Sequence, residues 1–186
     1  MKKIVLLYGF ISGTVLAALA ASMVPLLRSD QPDFSTGELI GYSSMVLAFL
    51  LVFFGVRTYR ENEGGGSITF GRAFRVAILI TLVACVMYVA AWQVIRYSFV
   101  PDFSDKYTQY VLDDMVAKGA SRVEVDAERK RMDEFNALYE NTLVNIGITF
   151  LEVFPVGVVM SLIAAAILRK KPQPLLGTVA ARAVSI

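Results

Sequence analysis

Four long apolar runs dominate the pattern of hydrophobic and polar positions, and charged residues separate each run from the next. The runs cover residues 4–27, 39–56, 73–95 and 142–168. Ser35 and Glu38 have the spacing of a capping box, which predicts that the second helix begins at Ser35. An α-helix rises about 1.5 Å per residue, so about 20 apolar residues cross the roughly 30 Å hydrocarbon core of a bilayer. The pattern therefore predicts an all-α fold, an integral membrane four-helix transmembrane bundle in which residues 1–171 form a single four-span membrane domain.

The segment between the third and fourth runs, residues 97–140, is polar but has helical periodicity. Ser104 can begin a first helix that Gly119 ends, and Ser121 with Glu124 has the spacing of a capping box for a second. Acids and bases alternate on the polar face of the second helix, unlike a polybasic lipid patch or a nucleic-acid surface. We expect two short amphipathic extramembrane helices between spans three and four, and no nucleic-acid partner.

Composition narrows the possible chemistry. The 186 residues include no His and one cysteine, Cys85, which lies inside an apolar run. The chain therefore lacks the commonest general base and the commonest transition-metal ligand, and Cys85 has no partner for a disulfide. No nucleophile stands beside a base in the sequence. We expect no metal site, no cofactor and no enzymatic activity.

Basic residues collect on one side of the membrane if the N-terminus is cytoplasmic and the spans alternate. That side carries ten Lys and Arg residues against the two acids Glu61 and Glu63, whereas only Arg28 and Arg96 adjoin span ends on the other side. The positive-inside rule then predicts that both termini are cytoplasmic, with residues 172–186 as a flexible tail. The first run also contains a possible signal cleavage site at residues 18–20, but it continues apolar to Leu27.

A polar stripe in the fourth run is the first candidate site. Thr142, Asn145, Thr149 and Glu152 follow one another at steps of three, four and three, which places them on one helix face. Glu152 lies about ten residues into the run, about 15 Å deep, where an ionised carboxylate is costly. Pro155 cannot donate a backbone hydrogen bond, so it leaves a free carbonyl beside Glu152.

Two interpretations of Glu152 stay open. In the first, Glu152 is the proton or ion site of an oligomeric transporter or channel subunit, and the polar stripe is its entry path. In the second, Glu152 is neutral and holds the bundle together by a hydrogen bond to a hydroxyl at similar depth, on Thr14, Thr81 or Tyr88.

The second candidate site lies between the second and third runs. Gly64, Gly65 and Gly66 can expose backbone N–H groups, and Arg72 and Arg75 follow at the start of a helix. These features favour an anion, which at a membrane boundary is a lipid headgroup. The simpler interpretation is a flexible hinge with two arginines that extend toward the interface.

Small residues at intervals of four suggest close helix packing. Gly9, Gly13 and Ala17 share one face of the first run, and Gly157 and Ser161 share a face of the fourth. Such faces let two helix backbones approach closely in lipid. They serve either packing within one bundle or the interface of a homodimer.

Two segments resemble a known family. Residues 64–74, with the sequence GGGSITFGRAF, resemble the Gly-rich, Phe-Gly-(Lys/Arg)-Ala-Phe segment of a bacterial membrane family catalogued as domain of unknown function 4199. Residues 150–157 (FLEVFPVG) and the basic residues 169–171 look like its last span and basic end. The resemblance implies a small multi-pass protein of the bacterial inner membrane and supplies no catalytic residues.

The sequence thus predicts a non-enzymatic role, structural or interaction-mediating. Its expected partners are membrane lipid and either further copies of the chain or other membrane proteins. An oligomeric transporter or channel subunit that uses Glu152 is the alternative.

Overall fold

The computed structural model describes residues 1–29 and 32–170. Over these ranges the chain forms helices α1 (Lys2–Ser22), α2 (Val24–Arg28), α3 (Phe34–Asn62), α4 (Phe70–Ser98), α5 (Phe103–Ala117), α6 (Arg122–Tyr139) and α7 (Thr142–Leu168). Four stretches are long and apolar enough to cross a membrane: Lys2–Arg28, Phe34–Asn62, Phe70–Ser98 and Thr142–Leu168. The predicted all-α fold with four candidate spans is confirmed. The predicted tail, residues 172–186, lies outside the described residues.

The helices are longer than the apolar runs from which they were predicted. α3 and α4 continue by several polar or charged residues at both ends, because the backbone hydrogen bonds of a helix do not require apolar side chains. The first run is interrupted at Met23, which separates α1 from α2. Pro25 sits in the first turn of α2, where its missing N–H group would have had no helical partner.

Of the three helix N-caps predicted from the sequence, one is confirmed. Ser121 and Glu124 form the predicted capping box of α6. α3 begins at Phe34, because the Asp33 carboxylate accepts the Thr36 N–H group at 3.0 Å, so the expected start at Ser35 is wrong. α5 begins at Phe103, which places Ser104 inside the helix instead of at its cap.

The four long helices pack as a bundle with a rhombic cross-section. α1 and α7 each pack against both α3 and α4, and α3 contacts α4 across the short diagonal. The middle of the bundle is a fully buried apolar core of Phe49, Val52, Val56, Ile80 and Ala84. α5 and α6 pack against each other where α4 ends and α7 begins, which we call the α5–α6 end.

The small residues lie at contacts between helices of this one chain. A Cβ atom added at Gly9 would lie 2.6 Å from Val83 Cβ, and one at Gly13 would lie 2.7 Å from Met87 Cβ, so α1 approaches α4 closely along this face. Ala17, one turn further along α1, is half-buried. On α7, the buried Ser161 hydroxyl shares a hydrogen bond of 3.0 Å with Thr81, and Gly157 contacts the same threonine.

Candidate functional site

A cavity of about 490 Å³ occupies the α5–α6 end of the bundle. Its walls come from α1, α2, α3, α4 and α7, and α5 and α6 cover it. Aliphatic side chains such as Leu16, Leu19 and Met45 line part of the wall. Most of the remaining lining is aromatic, from Phe34, Tyr42, Tyr88, Trp92, Phe103, Tyr107, Phe135 and Tyr139.

Two carboxyl side chains are the acidic groups in the cavity wall. Glu38 of α3 and Glu152 of α7 both line it, and no Lys or Arg of the described ranges does so. Neither carboxylate forms an ion pair within residues 1–29 and 32–170. Both side chains are exposed, so the cavity is open beside them. When these carboxyl groups are ionised, the electrostatic field in the cavity favours a cation.

Tyr107 adds a neutral donor beside one carboxylate. Burial raises the pKa of the Tyr107 phenol above its usual value, and the nearby Glu38 charge raises it further. The Tyr107 phenol therefore keeps its proton and remains a neutral hydrogen-bond donor near Glu38.

Lysine–carbonyl contacts hold the cover of the cavity in place. The Lys106 ammonium group on α5 donates to the carbonyl oxygens of Leu27, Arg28 and Ser29, at 3.5, 3.4 and 3.4 Å. These carbonyls belong to the C-terminal end of α2, where a positive charge is favourable. Asp102 pairs with the same ammonium group at 3.1 Å. α5 is thereby fixed to the α2 wall.

Aromatic rings join the cover to the other walls. The ring of Phe34, at the start of α3, contacts those of Phe103, Tyr107 and Tyr110, at centroid distances of 5.9, 5.2 and 5.2 Å. Trp92 of α4 packs edge-on against Phe103 at 5.3 Å, and its indole N–H donates to the Tyr139 hydroxyl at 3.2 Å. These rings thus form one contiguous cluster that joins α3, α4, α5 and α6.

The structure splits the polar stripe predicted on α7. Asn145 and Thr149 are buried, and the Asn145 Oδ1 atom accepts a hydrogen bond of 2.6 Å from Gln93 on α4. Thr142 is exposed and shares a hydrogen bond of 2.9 Å with the Tyr97 hydroxyl. Only Glu152 lines the cavity. The stripe therefore does not form one continuous polar path.

The hydroxyls considered as partners of Glu152 lie elsewhere or make other contacts. Thr81 is paired with Ser161, and Thr14 is exposed on α1, whereas Tyr88 lines the cavity together with Glu152. α7 continues without a break through Pro155, which is exposed. In the described part of the chain, Glu152 makes no side-chain hydrogen bond and is accessible from the cavity.

The glycine-rich turn at the opposite end closes α3. The Gly64 N–H group donates to the Tyr59 carbonyl at 3.1 Å, and the Gly66 N–H group donates to Arg60 at 3.0 Å. Gly65 and Gly66 have φ values of +58° and +79°, which favour glycine. Two of the N–H groups expected to face an anion are therefore engaged by helix carbonyls. Arg72 and Arg75 are exposed on the first turns of α4.

Sequence reasoning found one of the two cavity carboxylates and missed the cavity itself. Glu38 was interpreted as part of a capping box, yet it is the second carboxylate of the cavity. Tyr88 was named only as a possible hydroxyl partner of Glu152, and the only local signal of Trp92 and Tyr107 is aromatic enrichment near span ends. Over the described ranges, no three His, Cys, Asp or Glu side chains cluster in a way that could hold a metal ion.

Comparison with known proteins places the chain in a family. No curated protein and no solved structure matches it. A family model described as protein of unknown function (DUF4199) matches residues 7–170, which is most of the chain. The match covers most of the first candidate span, all of the other three, the cavity and the glycine-rich turn. The chain therefore belongs to the DUF4199 family.

Proposed function

We propose that this protein is a non-enzymatic membrane protein that binds an amphiphilic organic cation in the cavity at its α5–α6 end. One observation carries the proposal: Glu38 and Glu152 line a cavity rich in aromatic rings, and no basic side chain of residues 1–29 and 32–170 lines it. Carboxylates attract a cation by charge, and aromatic faces attract it through their quadrupoles. The two effects act on the same ligand.

The size and the lining of the cavity fit a small organic molecule. Ligand pockets have volumes of about 300–1,000 Å³ and are mostly apolar with a few polar groups. The 490 Å³ cavity falls in this class, with aliphatic wall residues such as Leu16 and Ile148 beside the aromatic cluster. An apolar body can occupy this wall while its cationic group lies between the two carboxylates.

Binding is favoured over transport by the layer beneath the cavity. Phe49, Val52 and Val153 are fully buried there, and they fill the middle of the bundle with apolar side chains. A polar solute has no path through this layer. Transport through Glu152 would need another conformation or a second copy of the chain, and ligand flux into vesicles is its test.

The family resemblance is the basis for proposing a location in the bacterial inner membrane, and the charge distribution supports cytoplasmic placement of both termini. Arg57, Arg60, Arg72, Arg75 and Arg169 all lie at the end of the bundle opposite α5 and α6. The positive-inside rule orients this basic end toward the cytoplasm. The cavity then opens on the extracytoplasmic side.

A matched pair of probes tests the proposal. Methyltriphenylphosphonium is an aromatic cation, and triphenylphosphine oxide is a neutral molecule of similar shape. We expect titration calorimetry of the detergent-solubilised protein to show tighter binding of the cation. Glu38→Gln and Glu152→Gln should each weaken cation binding about fivefold, the equivalent of about 1 kcal/mol per carboxylate, and leave the oxide unaffected.

Glu134→Gln serves as the control, because Glu134 is exposed on α6 and does not line the cavity. Equal affinities for the two probes would refute the proposal. So would equal losses of cation affinity in the cavity variants and the control.

A further inference from the structure

Arg96 is a buried cation without an anionic partner. It lies near the end of α4, and it is 7% exposed. Its guanidinium carbon lies 4.9 Å from the centroid of the Tyr139 ring and 5.2 Å from that of Tyr97. Throughout the part of the chain that the structure describes, no carboxylate pairs with it and no acceptor takes a hydrogen bond from it.

The Arg96 guanidinium group is free to bind an acceptor on a ligand. It carries five N–H donors in one plane, and none of its nitrogen atoms is among the buried polar atoms without a partner, so the donors are accessible from the space beside the residue. The aromatic rings attract its charge but satisfy none of these in-plane donors. An anion that accepts two parallel N–H bonds, such as a phosphate, matches this geometry.

The cleft beside Arg96 also contains a carboxylate. Arg96, Tyr97, Pro101 and Glu140 line a space of about 320 Å³, separate from the cavity of Glu38 and Glu152. Glu140 is exposed and forms no ion pair with Arg96 or with any other residue of the described ranges. The cleft therefore offers one positive and one negative group to the same ligand.

The cleft is positioned where it can contact lipid headgroups. It lies where α4 ends and α7 begins, and the Tyr97 hydroxyl bonds Thr142 there at 2.9 Å. Tyrosine and arginine at span ends are typical of the headgroup level of a bilayer. Val94, one turn before Tyr97, is 60% exposed, and Leu143 is 79% exposed. Acyl chains can lie against these side chains beneath the cleft.

We infer that the Arg96–Glu140 cleft binds the phosphoethanolamine headgroup of a phospholipid. The phosphodiester oxygens accept hydrogen bonds from the Arg96 guanidinium, which Tyr97 and Tyr139 hold in place. The ammonium group of the same headgroup pairs with the Glu140 carboxylate. An anionic lipid without an ammonium group gains only the first contact and is repelled by Glu140.

Native mass spectrometry of lipid binding tests the inference. The purified protein is titrated with phosphatidylethanolamine and with phosphatidylglycerol of identical acyl chains. We expect tighter binding of phosphatidylethanolamine. Arg96→Gln should weaken its binding about tenfold, because the charge-assisted bonds are lost. Glu140→Gln should abolish the preference between the two lipids.

Arg129→Gln is the matched control, because Arg129 is exposed on α6 and lies outside the cleft. Equal affinity of the wild type for the two lipids would overturn the inference, as would a retained preference in Glu140→Gln. Glu140 is exposed, so this second readout stays available even if Arg96→Gln does not fold. The inference would also be overturned if Arg96→Gln folds and binds phosphatidylethanolamine with the same affinity as Arg129→Gln.

Competition identifies the source of the phosphate group. Soluble glycerophosphoethanolamine should displace bound phosphatidylethanolamine, whereas inorganic phosphate at the same concentration should not. Displacement by inorganic phosphate alone would mean that the cleft is a free-anion site, and the headgroup assignment would be wrong.

Discussion

Gly157 on α7 offers a sharp test of the packing, because a single added methyl group has no room there. A Cβ atom at this position would lie 2.3 Å from Thr81 Cγ2 and 3.0 Å from Phe49 Cζ. Carbon atoms in favourable contact are about 3.5–4.0 Å apart, so α4 or α7 would have to move by about 1 Å. The Thr81 side chain cannot simply rotate away, because its hydroxyl is bonded to Ser161 at 3.0 Å.

We expect Gly157→Ala to destabilise the bundle by about 1–3 kcal/mol through overpacking. The same helix supplies the control, because a Cβ atom at Gly147 meets no atom within 4 Å. Alanine gains about 1 kcal/mol over glycine in helix propensity at either site, so the difference between Gly157→Ala and Gly147→Ala isolates the steric cost.

Unfolding in mixed detergent micelles at increasing SDS measures the two free energies. Thr81→Ser removes the Cγ2 atom and keeps the hydroxyl that bonds Ser161. The cost of Gly157→Ala should therefore fall by about 1 kcal/mol in the Thr81→Ser background, and the remainder reflects Phe49. If the two glycine variants unfold alike, or if Thr81→Ser gives no relief, then α7 does not approach α4 as the structure describes.

Three further predictions concern the cover of the cavity and the orientation of the chain. Lys106→Met should lower the free energy of unfolding by about 1 kcal/mol relative to the exposed control Lys130→Met, because it removes the bonds to the α2 carbonyls. The hydrogen bond from Lys106 lowers the pKa of Asp102 below its ordinary 3.8, so this pair stabilises the fold above about pH 4. Its contribution, under about 1 kcal/mol, is lost as pH falls through the pKa of folded Asp102, and thermal unfolding at pH 3 and pH 7 measures it. In a Cys85→Ser background, an impermeant maleimide added to intact cells should label Ala127→Cys and spare Asn62→Cys, and the reverse pattern would contradict the cytoplasmic placement of the termini.

The elements were predictable because their signals are local. Each apolar run is long enough to identify a helix by itself, and Ser121 with Glu124 marks the start of α6 through bonds that reach only three residues. The start of α3 was misplaced because Asp33 and Ser35 are both good capping residues two positions apart. The Asp33 carboxylate accepts the Thr36 N–H group because of the local backbone geometry, which could not be predicted from the sequence.

The candidate site was predictable only in part. A carboxylate inside an apolar run draws attention to Glu152 without any structure. The rest of its predicted stripe does not reach the cavity, because Asn145 and Thr149 are buried and Asn145 bonds Gln93 of α4, while Glu152 lines the cavity. Spacing places residues on roughly the same side of a helix, but a difference of a few tens of degrees decides which neighbour each side chain meets.

The sequence by itself determined that the chain is helical, that four helices can cross a membrane, and that basic residues gather at one end. These properties follow from the hydrophobicity and charge of the residues in the order in which they occur in the sequence. Only the tertiary structure decided that Glu38 and Glu152 line one aromatic cavity, and that Arg96 and Glu140 share a cleft. Both sites lie between helices that are distant in sequence, and the side chains that meet there depend on how each helix is rotated and packed against its neighbours.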